Sequence, residues 1–275
     1  MIGAAGFVGS AIAAELEKTG SEVVRITRSD LNLADAEAEV SLSRIISDGD
    51  TVVFAAADAP CRSIRQYLIN IQMVCSLIGA ATNIRLEKLV YISSDAVYSD
   101  SDRPLNEESP AVPESLHGVM HRSREMLLTV SEHPLLVLRP TLIYGSSDPH
   151  NGYGPNRFIR SVRSGSDVVL FGAGEELRDH VHISDVAYYA ARAIESETGV
   201  FNIASGELMS FMDLAKIAVE LGGGRSGIRS QSRQGPMPHG GYRAFNISRL
   251  RETFGLRPMV LPEYAMERDF HLYGD

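Results

Sequence analysis

Residues 3–9 read Gly3-Ala-Ala-Gly6-Phe-Val-Gly9, and this glycine-rich turn leads directly into a helical pattern. Glycines let the backbone approach a pyrophosphate closely, and the amide groups at a helix N-terminus attract anions. The turn therefore predicts a nucleotide-binding loop, with an ordinary glycine turn as the alternative. The candidate contacts are the glycines and the first helical residues: Gly3, Gly6, Phe7, Val8 and Gly9.

The rest of the first half alternates short apolar runs with helical patterns. Residues 51–57 and 88–93 are mainly apolar runs, which are typical of strands buried on both faces. Further strands are predicted at 22–27 and 134–140, and helices at 7–18, 63–81 and 117–130. This order predicts an α/β fold, a Rossmann-type doubly wound parallel sheet with helices on both faces.

The composition changes after Tyr144, where residues 145–176 carry many Gly, Ser, Asp and Asn residues. We therefore predict a dinucleotide-binding domain over residues 1–145, with returning segments at about 177–205. A smaller, discontinuous substrate-binding lobe is predicted over residues 146–275.

The strand that should precede the glycine turn is largely missing from this sequence. Only Met1 and Ile2 come before Gly3, although such a turn normally follows a strand. Two interpretations stay open. Either further apolar residues precede Met1 in the natural protein, or residues 1–3 form a short remnant of the strand.

Composition excludes several classes of function. The 275 residues include 35 acidic and 26 basic side chains, with a pI of about 5.4, which argues against nucleic-acid binding. No apolar run approaches the ~18 residues of a membrane span, and no signal peptide is recognisable. Two cysteines, Cys61 and Cys75, suit a reducing compartment. We expect a cytoplasmic protein that contacts no membrane.

The choice between NAD and NADP depends on the end of the second predicted strand. An acidic residue there would bind the ribose 2′-hydroxyl, whereas arginine suits a 2′-phosphate. Arg28 lies 19 residues after Gly9, and no acidic residue occurs between the predicted strand and Asp30. The sequence therefore favours NADP over NAD, with a solvated turn arginine as the alternative.

Four further motifs occur with the glycine turn in a recognisable order. They are Phe54-Ala-Ala-Ala57, Tyr91-Ile-Ser-Ser-Asp-Ala-Val-Tyr98, Leu138-Arg-Pro-Thr-Leu-Ile-Tyr-Gly145 and Leu177-Arg-Asp-His-Val-His-Ile-Ser-Asp185. With them the whole chain resembles the extended short-chain dehydrogenase/reductase family, the NAD-dependent epimerases and dehydratases that modify nucleotide sugars. The resemblance implies a dinucleotide cofactor, a nucleotide-sugar substrate and a homodimer.

The resemblance also implies roles for individual residues. The implied cofactor contacts beyond the turn are Asn32, Leu33, Ala55, Ala56, Ala57, Asn70, Thr141 and Leu142. Ser94 matches the residue that hydrogen-bonds the reacting sugar oxygen. The implied substrate contacts are Asp95, Asn156, Arg178 and Arg233, the arginines on the diphosphate, which a guanidinium fork can bind bidentately.

The sequence departs from the family at the catalytic pair. The family uses Tyr-x-x-x-Lys, and here His117 and His121 stand at those positions, with Glu125 keeping its usual place. Three interpretations stay open. His117 is the acid/base and His121 binds ribose or tunes it; or the site only binds; or the two histidines, on one helix face, ligate a metal. No third ligand is evident, so we assign no metal.

A second departure narrows the reaction. The family's 4,6-dehydratases carry Thr-Asp-Glu where this chain has Ser94-Asp95-Ala96, and the missing glutamate argues against water elimination. A nucleotide-sugar epimerase or a 4-keto-sugar reductase, with hydride transfer at a sugar carbon, is the leading hypothesis. The alternative is a non-catalytic dinucleotide sensor or scaffold that has lost the tyrosine and lysine.

Overall fold

The computed structural model describes residues 1–255 and 259–273. Its α-helices are α1 (Phe7–Lys18), α2 (Ala38–Ser43), α3 (Ile64–Ala81), α4 (Leu116–Val130), α5 (Pro155–Arg163), α6 (Ile183–Ser196), α7 (Phe211–Leu221), α8 (Ser248–Phe254) and α9 (Pro262–Asp269). Its strands are β1 (Thr51–Phe54), β2 (Lys88–Ile92), β3 (Leu135–Pro140), β4 (Leu142–Tyr144), β5 (Val168–Phe171), β6 (Leu177–His182), β7 (Gly199–Ile203), β8 (Leu208–Ser210), β9 (Ile228–Gln231) and β10 (Tyr242–Arg243).

The strands form parallel sheets, as the predicted α/β class requires. The larger sheet has the order β1-β2-β3-β7, and β1, β2 and β3 run parallel. A second sheet has the order β10-β6-β4, with β8 antiparallel to β6, and β5 pairs with β9 in parallel. The predicted fold class is confirmed.

The chain divides into two compact units. Unit 1 comprises residues 1–99, 107–140 and 186–202, and unit 2 comprises residues 100–106, 141–185 and 203–275. The predicted division at residue 145 falls five residues beyond this boundary. The difference has a structural reason, because β4 pairs with β6 and therefore belongs with the sheet of unit 2.

The core of unit 1 covers one face of its sheet with helices. Phe54 pairs in register with Tyr91, and Tyr91 pairs with Val137, so these buried side chains point to the same face. Leu77 of α3 and Leu128 of α4 belong to the same apolar cluster. Serine side chains cap both helices: Ser63 accepts a hydrogen bond at the start of α3, and Ser115 does so at the start of α4.

Unit 2 has a separate core around an aromatic cluster. Tyr153 lies 4.5 Å from Phe211 and 5.3 Å from Phe158, measured between ring centres. Apolar residues of α5, α7 and β5 complete this cluster. Unit 2 thus has its own apolar core.

The residue before the glycine turn, Ile2, forms isolated β-bridges on both of its sides. Ile2 donates to Val53 O at 2.8 Å, and its carbonyl accepts from Ala55 N at 2.9 Å. On its other side it forms a bridge with Ile26, where Gly3 N donates to Ile26 O at 2.9 Å.

The predicted strand at 22–27 is wrong. Residues 22–25 are not assigned to a strand, and only Ile26 forms a bridge. A β-ladder needs several consecutive paired residues, and in this segment only Ile26 pairs, with Ile2. The apolar pattern was present, but the neighbouring backbone needed for a ladder was not.

A cavity of about 360 Å³ lies beside Met1, between the segment at 21–26 and strand β1. Val24 at its edge is 60% exposed, and the Met1 ammonium donates to Val24 O at 2.9 Å. Burial lowers the pKa of this ammonium. Apolar side chains such as Ile45 and Ile46 line this cavity together with charged ones such as Asp50 and Lys88.

We predict that an engineered extension of Met1 by Val-Ile-Val-Thr stabilises the protein. The added residues would continue the parallel pairing of Ile2 and fill the cavity, which corresponds to about 2 kcal/mol and a Tm rise of about 5 °C. Differential scanning calorimetry measures the shift. A Gly-Ser-Gly-Ser extension of equal length is the control. Equal melting temperatures for the two extensions would contradict the expected filling.

Candidate functional site

The glycine turn of unit 1 lies against the end of β1 so closely that side chains are excluded. Gly3 has a φ of 86°, and a Cβ atom there would lie 2.6 Å from Ala56 N. A Cβ atom on Gly9 would lie 2.2 Å from Gly3 O. Both positions need glycine, because an alanine would force the backbone apart. This close approach places the turn that precedes α1 against the residues that follow β1.

A pocket of about 250 Å³ opens above this turn, within unit 1. Helix α1 has no side-chain cap and no acidic residue in its first turn, so its N-terminal amides remain available to an anion. A dinucleotide fits this chemistry. The pocket contains many of the predicted cofactor contacts: Gly3, Gly6, Arg28, Asn32, Leu33, Ala55, Ala56 and Ala57.

Other predicted cofactor contacts lie outside the residues that line this pocket. Phe7, Val8 and Gly9 form the first turn of α1. Asn70 is fully buried on α3, where its Oδ1 accepts from Asp58 N at 3.0 Å and its Nδ2 donates to Asp58 O at 2.9 Å. Asn70 thus holds the segment after β1 from behind.

Arg28 lines the pocket without an ion-pair partner among the described residues. The neighbouring carboxylate of Asp30 is hydrogen-bonded within its own turn. Its Oδ2 atom accepts from Thr27 N at 2.9 Å and from Thr27 Oγ1 at 2.7 Å. These hydrogen bonds lower the pKa of Asp30. The pocket wall therefore presents a guanidinium, while the nearby carboxylate closes its own turn.

His117 lies near the N-terminus of α4, with its Nδ1 atom engaged by the backbone. Cys61 N donates to His117 Nδ1 at 3.3 Å, so Nδ1 is the acceptor and a neutral ring carries its proton on Nε2. Burial lowers the pKa of His117, while Asp95 opposes this and Arg62 adds to it. Burial thus favours the neutral form of His117.

His121 lies one turn further along α4 and is 5% exposed. Its ring meets that of His117 edge-on, with 4.7 Å between the ring centres. Its Nδ1 atom lies 2.7 Å from the Tyr91 hydroxyl. Burial first, and then the neighbouring His117 and Arg124, hold the pKa of His121 well below its usual value.

Ser94 and Asp95 lie beside this pair because α4 packs closely on their turn. A Cβ atom on Gly118 would lie 2.0 Å from Ala96 O, so the glycine between the histidines permits the contact. Ser94 Oγ accepts from Ala96 N at 3.1 Å and starts the short turn Asp95–Val97. Asp95 is near enough to raise the pKa of His117. The three predicted catalytic residues thus lie in one region of unit 1.

The metal interpretation of the histidine pair gains no support. Within the part of the chain that the structure describes, no group of three or more His, Cys, Asp or Glu side chains could hold a metal ion. Both Nδ1 atoms already have hydrogen-bond partners in Cys61 and Tyr91.

The predicted substrate arginines belong to unit 2. Arg178 is buried on β6, in register with Arg243 of β10. Arg233 forms an ion pair with Glu176 and donates to Phe171 O at 3.2 Å. Both guanidinium groups thus belong to unit 2.

The remaining predicted contacts in unit 2 are engaged in local hydrogen bonds or strand pairing. Asn156 accepts from Gly145 N at 2.9 Å and donates to Asp148 Oδ2 at 2.6 Å. Thr141 Oγ1 donates to Asp179 O at 3.3 Å, and Leu142 pairs with His180. Their roles toward cofactor and substrate stay predictions.

Sequence reasoning missed the buried ion pair of Glu125 and the buried position of Arg124, both on α4. Glu125 accepts from Arg139 Nη2 at 2.6 Å and from Ser93 Oγ at 2.7 Å, which fixes α4 to β3 and to the residue that follows β2. Arg124 is also fully buried. The available signal for Arg124 was its helical position, one residue before Glu125 and three after His121, but charge in a helix is usually exposed.

Comparison with known proteins agrees with the predicted resemblance. The spore coat polysaccharide biosynthesis protein SpsK of Bacillus subtilis is 21% identical over 97% of this chain and 96% of its own length. The dTDP-4-dehydro-6-deoxy-D-allose reductase of Streptomyces bikiniensis is 24% identical over 94% and 91%.

Among solved structures, the UDP-glucose 4-epimerase of Thermus thermophilus in complex with NAD shares the fold. Its TM-score is 0.85 at 22% identity, over 99% of this chain and 97% of that chain. No helix among the described residues is long and apolar enough to cross a membrane. The model of the NAD-dependent epimerase/dehydratase family matches residues 1–204. The motifs, the fold and this match agree, and the chain therefore belongs to the NAD-dependent epimerase/dehydratase family.

Proposed function

We propose that the protein is an NAD(P)-dependent nucleotide-sugar epimerase or 4-keto-sugar reductase that uses a histidine pair for the usual tyrosine and lysine. The observation that carries this proposal is the placing of His117 and His121 on α4 beside Ser94 and Asp95. The half-buried His117 and the buried His121 are in ring contact, which places two imidazoles where acid–base chemistry would need them.

The chain's own residues supply binding, orientation and proton control. A bound nicotinamide would supply or accept the hydride. His117 lies near Asp95, and its Nε2 atom carries the exchangeable hydrogen, because Cys61 N occupies Nδ1. Imidazole is suited to proton transfer near neutral pH. Ser94 adds a hydroxyl to the same region of unit 1.

Unit 2 would recognise the sugar nucleotide through its arginines. Arg178 and Arg233 are suited to a diphosphate, which a guanidinium can bind through two parallel hydrogen bonds. Arg233 now pairs with Glu176. A diphosphate would replace that carboxylate, and such an exchange is expected to favour dianionic ligands over neutral sugars.

We predict that His117→Ala lowers turnover by about 100-fold or more, because general acid–base groups contribute on that scale. Dinucleotide affinity should remain within about twofold, since His117 does not line the glycine pocket. Turnover is measured with a panel of UDP-sugars and 4-keto sugar nucleotides, and affinity by calorimetry. His133→Ala is the control in unit 1. Unchanged turnover in His117→Ala would contradict an acid/base role, and no turnover in any form would favour a binding protein.

NADP is the preferred dinucleotide in this proposal. Arg28 lines the pocket, and hydrogen bonds to charged groups contribute about 2 kcal/mol. We expect Arg28→Ser to weaken NADPH binding about 20-fold while NADH binding changes little. Arg25→Ser, which removes an exposed arginine paired with Glu17, is the matched control. Equal losses for NADPH and NADH would contradict a 2′-phosphate contact.

We propose a homodimer through α3 and α4. Tyr67 Oη and Ser123 Oγ lie 3.1 Å apart, so these helices are neighbours. They carry apolar side chains with large exposed fractions: Ile64 75%, Leu68 60%, Val119 38%, Met126 56% and Val130 77%. A second copy of the same surface would cover this stripe.

Met126→Glu should convert the dimer into a monomer, because two symmetric carboxylates would meet in the apolar interface. Sedimentation equilibrium measures the mass. Val40→Glu on α2, where the side chain is 47% exposed, is the control and should leave the mass unchanged. A wild-type protein that sediments as a monomer would contradict the proposal.

A cytoplasmic location is part of the same proposal. Cys61 and Cys75 are both free thiols, the first buried and the second exposed. Free thiols persist in reducing compartments, and NADPH is available there.

A further inference from the structure

The side chain of Arg124 is a fully buried cation on α4. Its Nε atom donates to Asn70 O and its Nη1 atom donates to Ala56 O, both at 2.9 Å. The guanidinium carbon lies 4.8 Å from the centre of the Phe54 ring. Within the described part of the chain no carboxylate pairs with it, and burying such a charge is costly. The charge therefore needs an explanation other than stability.

Tyr91 connects this cation to the histidine pair. Its ring is fully buried, and its hydroxyl lies 2.7 Å from His121 Nδ1. The guanidinium of Arg124 lies close enough to this hydroxyl for its charge to lower the pKa of Tyr91, against the larger effect of burial. Burial raises the pKa of Tyr91 to about 12, so the hydroxyl keeps its single hydrogen.

The direction of the Tyr91–His121 hydrogen bond follows from the charge of Arg124. A buried cation attracts the negative oxygen end of the hydroxyl dipole, so the Tyr91 oxygen faces Arg124 and its hydrogen goes to His121 Nδ1. Unit 1 contains a second arginine–tyrosine pair of the same polarity. Arg139 Nη1 donates to Tyr98 Oη at 2.9 Å, and Tyr98 donates to Asn202 Oδ1 at 2.7 Å.

We propose that Arg124 and Tyr91 are positioning residues that fix His121 as the tautomer protonated on Nε2, ready to donate to an oxygen of the bound dinucleotide. This inference rests on the proposed function for the ligand and on hydrogen-bond geometry for the tautomer. His121 Nε2 has no hydrogen-bond partner among the described residues, so its N–H is available.

His117 has the same tautomer as the one proposed for His121. Cys61 N can only donate, so His117 also carries its hydrogen on Nε2. Both rings then meet a ligand as hydrogen-bond donors. Arg124 provides a permanent positive charge near the position of the missing lysine, and this charge disfavours protonation of His121.

Nitrogen-15 NMR of histidine-labelled full-length protein tests the tautomer directly. His121 is assigned by comparison with His121→Gln. In the wild type we expect a protonated Nε2, an unprotonated Nδ1 and no titration between about pH 6 and pH 8. A proton on Nδ1 would overturn the proposal.

Tyr91→Phe tests the role of the hydroxyl. It should convert the His121 signals into those of a tautomer mixture and raise the Kd for NADPH by about fivefold, the value of one hydrogen bond. Arg124→Met should cause a smaller change in the same direction, because the hydroxyl could then accept as well as donate. An unchanged tautomer or an unchanged Kd in Tyr91→Phe would overturn the proposal.

Tyr98→Phe is the matched control, since it removes the hydroxyl of the similar Arg139–Tyr98–Asn202 chain. It should lower Tm without moving the His121 signals or the Kd. Equal changes in the His121 signals and in the Kd for NADPH in Tyr91→Phe and Tyr98→Phe would show a general packing effect. That result would overturn the specific role of Tyr91. Failure of the proposed function appears differently, as wild-type protein that binds no dinucleotide although His121 has the expected tautomer.

Discussion

The pocket of unit 1 depends on one close approach, that of the Gly3 backbone to the backbone of Ala56. A Cβ atom at Gly3 would come within 2.6 Å of Ala56 N. Ile2 holds the turn there by pairing with both Ile26 and Phe54. Because the turn is fixed on both sides, its glycine backbone lines the pocket and α1 begins immediately after it.

The histidine pair depends on how α4 is anchored. Gly118 permits contact with Ala96 O, and Glu125 binds Arg139 and Ser93 in the interior. A paired, buried carboxylate of this kind defines register strongly, because breaking one partner leaves an uncompensated charge. The anchor fixes the register of the helix on which His117 and His121 are predicted to stand at the family's tyrosine and lysine positions. His117 and His121 occupy a position that Glu125 continues to fix.

Much of this organisation could be predicted from the sequence. The glycine turn and the apolar runs at β1, β2 and β3 follow local rules of sterics and periodicity, and the motif order identified the family. The prediction of a strand at 22–27 was wrong because strand formation depends on a neighbouring strand, and Ile2 supplies only a single bridge. Arg124 was missed because sequence does not show which charged helix position faces the core. The hydrogen-bond partners of Asn70 and Asn156 were equally inaccessible, since they are set by loops whose conformation depends on the folded chain.

The central claim is that unit 1 holds a dinucleotide in the pocket formed by the glycine turn. Isothermal titration of the purified protein with NADPH, and separately with NADH, measures this most directly. Saturable binding of one dinucleotide per chain, tighter for NADPH, is the predicted result. Absence of binding for both dinucleotides, by a protein shown to be folded and to retain no dinucleotide when denatured, would contradict it.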